Sequence, residues 1–109
     1  MKRNKQLMEN VVVTHGKDRN ERSFTVAGRI VGNQIRFGIA ICNETDQFCR
    51  KTGRKIAATR TIGRPIEVIE NQELSAMDKS NQYKFAIQKL FEVKEKVENV
   101  ETFFVRNQS

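Results

Sequence analysis

Between Ser23 and Asn43 apolar and polar residues alternate, in the stretch SFTVAGRIVGNQIRFGIAICN, about a central Gly32-Asn33. Alternation with a period of two marks half-buried strands, and a Gly-Asn pair suits a two-residue primed turn because both residues tolerate positive φ. Fixing the turn fixes the register. Phe24 then faces Ile41, Val26 faces Ile39 and Ile30 faces Ile35 on one side of the hairpin. Gly28 falls opposite Phe37, whose ring can cover the gap.

The other side carries Thr25, Ala27, Arg29 and Val31 against Gln34, Arg36, Gly38, Ala40 and Cys42. It is flat and built of small residues. Arg29 lies directly across from Arg36, and like charges facing one another weaken a ladder. Two roles are open for this pair. Either both side chains splay into water, or together they hold a phosphate or carboxylate.

Before the hairpin, NVVVTH (10–15) reads as a strand through its β-branched run, and GKDRNERS (16–23) as an exposed, charged loop. After it the period lengthens. Residues 45–61 read as an amphipathic helix, with Asn43 or Thr45 as cap, Asp46 in the first turn and Gly63 and Pro65 as stop. Phe48, Cys49, Thr52, Gly53 and Ile56 share one side of it; Arg50, Lys51, Arg54 and Lys55 share the other. Gly53 on the inward side points to close packing of helix on sheet. Arg60 lies near the apolar edge, where it either reaches outward to water or is held by Glu44 or Glu67.

PIEVIE (65–70) reads as a further strand with Pro65 at its start. NQELSAMDKSN is a connection containing at most a helical turn. Residues 80–98 form a second amphipathic helix, with Tyr83, Ala86, Ile87, Leu90, Phe91, Val93 and Val97 as its stripe and lysines and glutamates mixed on its outer face. VETFFVRNQS closes the chain as a short last strand or packing segment. The expected order is β-β-β-α-β-α-β, an α+β fold in which an antiparallel sheet on a central hairpin (23–43) is packed by two helices. The domain spans 10–109, preceded by a flexible basic N-terminus at 1–9.

Length adds little to this picture and charge adds much. A chain of 109 residues is one domain with a modest core, which dimerisation would help, so a homodimer fits. Residues 1–64 carry 14 Lys/Arg and 5 Asp/Glu, a balance of +9; residues 65–109 carry 6 and 8, a balance of −2. Such polarity is an argument about partners. The second helix neutralises its own outer face, whereas the first leaves its cations unopposed, at a cost of a few tenths of a kcal/mol per like pair. An anionic partner would offset that cost.

Several chemistries are absent. Cys42, Cys49 and the single histidine, His15, do not make a zinc inventory, and the two thiols read as reduced and buried. No cofactor motif occurs: GRIVGNQ lacks the GK[ST] ending of a phosphate-binding loop and sits in a hairpin. No nucleophile, base and orienting group are grouped together, so no catalytic role is assigned. No apolar run reaches the length of a membrane span, and the first residues lack the apolar core of a secretory signal.

The expected role is therefore binding. Arg29, Arg36, Arg50, Lys51, Arg54, Lys55 and Arg64 are the candidate contacts for an anionic partner. The first expectation is DNA or RNA held by its phosphate backbone with little base readout, since no exposed aromatic platform or nucleic-acid motif is present. The alternative is a host protein with an acidic surface, met with fast, salt-sensitive association.

Residues 37–60, FGIAICNETDQFCRKTGRKIAATR, resemble small proteins encoded by phages and prophages that carry a D-x-F-x-[RK]-K-x-G-R-x-I-A pattern after a strand. Here the pattern is Asp46, Phe48, Arg50, Lys51, Gly53, Arg54, Ile56 and Ala57. No established activity attaches to the pattern, so no functional residues carry over. The resemblance implies a phage accessory protein acting in the cytoplasm of an infected bacterium, as a nucleic-acid binder or a modulator of a host protein.

Overall fold

A four-stranded antiparallel sheet in the order β1-β2-β3-β4 forms the middle layer of the molecule. The computed structural model describes residues 9–41 and 50–99. The strands are β1 (Val11–Lys17), β2 (Ser23–Val31), β3 (Gln34–Ile41) and β4 (Glu67–Glu70); the helices are α1 (Arg50–Gly63) and α2 (Lys79–Asn99), with a 3-10 turn at Leu74–Ala76. The order is β-β-β-α-β-α, as the α+β reading requires. The basic N-terminus at 1–8, the expected helix start at 45–49, the two cysteines and the expected last strand lie outside the described residues.

The β2–β3 register is the one the turn dictates: Phe24 pairs with Ile41, Gly28 with Phe37 and Arg29 with Arg36. Of the two turn residues, Gly32 has positive φ, at 58°, and Asn33 does not, which is the pattern of a II′ turn with glycine first. Asn33 has another task. Its Oδ1 accepts from the Ser75 N–H at 2.9 Å and its carbonyl from the Asn71 N–H at 2.9 Å, so the turn anchors the segment that leads to α2.

The two helices lie on opposite faces. Phe24, Val26, Ile30, Ile35, Phe37 and Ile39 join Leu74, Ala86, Leu90, Val93 and Val97 in the larger core under α2. A Cβ on Gly28 would meet the Phe37 ring at 2.8 Å, so the ring fills the gap as the pattern predicts. Asp78 caps α2, its Oδ1 accepting from the Asn81 N–H at 2.8 Å. The outer face of α2 balances its charges through Lys89–Glu92 at 3.5 Å and Lys94–Glu98 at 3.6 Å.

The face of small residues is covered by α1. Ala27 and Ala40 pack on Ala57, with Val11 and Val13 at the margin. The approach is so close that a Cβ on Gly38 would overlap the Ala57 carbonyl oxygen and come within 2.7 Å of the Thr61 nitrogen. This corrects the helical wheel. The inward line is Gly53, Ala57, Ala58 and Thr61, while Thr52 and Ile56 turn to solvent. A sheet face of alanine and glycine draws the helix axis inward until only the smallest side chains fit between them.

The loop joining β1 to β2 also differs from its expected character. Asp18 is buried, and its carboxylate accepts from the Asn20 and Arg22 N–H groups at 2.9 and 2.8 Å and from Arg22 Nε at 2.9 Å. The loop is thus organised around one carboxylate rather than merely solvated.

Candidate anionic-partner interface

The last turn of α1 leaves carbonyls without intrahelical partners and carries the negative end of the helix dipole. Two arginines from the sheet converge on it. Arg29 Nε donates to Thr61 Oγ1 at 2.9 Å and Arg29 Nη2 to the Ala58 carbonyl at 3.3 Å. Arg29 Nη1 also reaches the Glu9 carbonyl at 3.3 Å. Arg36 Nε donates to the Thr61 carbonyl at 2.8 Å and Nη2 to the Ile62 carbonyl at 3.1 Å. Burial lowers the Arg29 pKa from its ordinary value, which is high enough to keep the group cationic under working conditions.

Neither sequence reading of the Arg29–Arg36 pair therefore describes it. The two side chains neither splay into water nor stand open as an anion clamp; they close the C-terminal end of α1 from the sheet below. Their mutual repulsion is offset by carbonyl oxygens that each guanidinium reaches separately.

Arg60 takes a third course. Its Nη1 donates to the Ile39 carbonyl at 2.8 Å. β4 pairs with β3 only from Gln34 to Phe37, so beyond Phe37 the outer edge of β3 has no strand neighbour among the described residues, and Arg60 bonds its Ile39 carbonyl there. Glu67, one of its expected partners, is instead bonded by Lys96 at 3.2 Å. Glu44, the other, lies outside the described residues.

What remains is the outward face of α1. Arg54 and Lys55 are exposed, and Arg64 is exposed one residue past the helix end. Among the described residues no carboxylate lies within ion-pair distance of any of the three. Arg50 and Lys51 begin the helix, with their side chains outside the described residues; at i and i+4 they precede Arg54 and Lys55 on the same helical rows. Ile56, which the helical wheel sets on the inward side, and Ile62 are 40% and 59% exposed and lie among the cations. Beside them a shallow depression of about 170 Å³ is lined by Ile39, Arg60, Arg64, Pro65 and Ile66.

His15, the one histidine, is structural: its Nδ1 lies 2.8 Å from Thr25 Oγ1, across the β1–β2 pair. Among the described residues no three His, Cys, Asp or Glu side chains are grouped to hold a metal, and no helix is long and apolar enough to cross a membrane. The chain matches no protein-family model, no curated protein and no solved structure.

Proposed function

We propose that this chain is a small binding protein whose partner is DNA or RNA, held by its phosphate backbone along the outer face of α1. One observation carries the reading. Arg54, Lys55 and Arg64 stand exposed without a carboxylate neighbour among the described residues, while Lys89, Lys94 and Lys96 of α2 are each paired. Lys79 and Lys84 of α2 are exposed without such a pair as well, but α2 carries three glutamates of its own, whereas α1 carries no carboxylate along its whole length. Phosphate contacts made by such a row release condensed counterions, which favours binding at low salt without regard to sequence.

A second reading keeps the surface and changes the partner. Ile56 and Ile62 add apolar area among the cations, as a protein interface with a charged rim does. On this reading the chain is a phage-type accessory protein that docks on an acidic surface of a bacterial host protein in the cytoplasm. Titration of the purified chain against labelled duplex and single-stranded DNA and RNA at 50 mM salt, a concentration at the lower end of the range over which phosphate contacts are read, separates the two. Binding that weakens steeply with salt supports the nucleic-acid reading. Absence of binding to all of these leaves the acidic protein.

A further inference from the structure

The cations of α1 fall into two rows. With 3.6 residues per turn, the buried line of Gly53, Ala57, Ala58 and Thr61 sets the opposite ridge at Thr52, Thr59 and Gly63, all exposed and uncharged. Arg54 and Lys55 lie on one flank of that ridge. Arg60 lies on the other, and Arg64 continues its row, since the Arg64 N–H bonds the Arg60 carbonyl at 2.9 Å. Arg60 keeps donors beyond its bond to Ile39, because a guanidinium carries five N–H groups. A shallow depression of about 220 Å³ is lined by Lys55, Ile56, Thr59 and Arg60, one cation from each flank. The helix is also firmly held. Its middle packs on Ala27 and Ala40, and its end is bonded by Arg29 and Arg36.

A ridge of small neutral residues between two rows of cations fits a groove with an anion on each wall. The major groove of B-form DNA is such a groove, about 12 Å wide against a helix about 10–12 Å across, with one phosphate backbone on either side. We infer that α1 lies in the major groove of duplex DNA, with Arg54 and Lys55 on the phosphates of one strand and Arg60 and Arg64 on those of the other. The inference rests on the nucleic-acid reading above and narrows it to one form. Duplex RNA has a deep, narrow major groove that side chains do not read. Single strands are held largely by stacking on aromatic rings, and α1 has no aromatic residue. The ridge also implies weak base discrimination. Thr52 is short, and Thr59 donates its hydroxyl to the Lys55 carbonyl at 2.8 Å, so neither supplies the bidentate amide or guanidinium that reads base edges. Ile56 and Ile62, exposed beside the ridge, are placed to meet thymine methyl groups.

Fluorescence anisotropy of the full chain at 50 mM salt tests this with three probes of one sequence: a DNA duplex, the matching RNA duplex and the single DNA strand. The DNA duplex should bind about tenfold more tightly than either of the others. Methylation of guanine N7, which lies in the major groove, should weaken that binding about tenfold. Lys55→Glu and Arg64→Glu, one from each flank, should each shrink the log–log salt slope by about 1, and Lys84→Glu on α2 should leave it unchanged. Equal or tighter binding of the single strand or the RNA duplex, indifference to N7 methylation, or a slope that responds on one flank only would overturn the groove while the phosphate reading stands. Binding to none of the three probes would overturn both.

Discussion

Arg29 and Arg36 stand opposite each other in the β2–β3 ladder, and both reach Thr61: one donates to its hydroxyl oxygen, the other to its carbonyl. A like-charge pair that looks unfavourable on the ladder is thereby the device that fastens helix to sheet. Each guanidinium meets carbonyls at the negative end of α1, where cations are favoured. Arg29→Ala should cost about 2 kcal/mol and Arg36→Ala about 1–2 kcal/mol, since charge-assisted bonds and partly buried acceptors are lost together. Urea denaturation midpoints check this, and loss under 0.5 kcal/mol for both would contradict it.

Two glycines should respond to alanine for different reasons. At Gly38 the new methyl meets backbone atoms of Ala57, Arg60 and Thr61, which cannot move without shifting α1, so a loss above about 2 kcal/mol is expected. At Gly32 nothing lies within 4 Å, but φ is +58°, so the cost is one of backbone conformation, about 1 kcal/mol. Thermal melts of the two variants should rank Gly38→Ala well below Gly32→Ala.

The hairpin was legible because turn chemistry and face pattern agree on a single register, and the larger core followed from it. The face under α1 was harder to read. Hydropathy ranks Ile56 above Ala57 and Gly53 as a buried residue, yet contact with Ala27, Gly38 and Ala40 selects for small size, which a wheel drawn from hydropathy does not weigh. The roles of Arg29, Arg36 and Arg60 escaped for a related reason. Each bonds main-chain carbonyls 20 to 29 positions away, and Arg29 a hydroxyl beside them, and carbonyls leave no mark in a sequence. The exposed pairing of Arg54 with Lys55 needed only the local period.

Arg60 should behave as an edge cover. Arg60→Ala leaves the Ile39 carbonyl without its partner, and a loss of about 1 kcal/mol in the denaturation midpoint is expected. Lys96→Ala is the contrasting case. Its bond to Glu67 is largely exposed, so stability should change by less than about 0.5 kcal/mol.

The charge-reversed double variant Arg54→Glu with Lys55→Glu tests the binding surface most directly. Both residues face solvent, so its denaturation midpoint should stay close to that of the parent. Affinity for duplex DNA should fall, and the log–log salt slope should shrink by about 2 units, one for each phosphate contact removed. An affinity and a slope equal to the parent's, in a variant that folds normally, would contradict the claim that the outer face of α1 holds the partner.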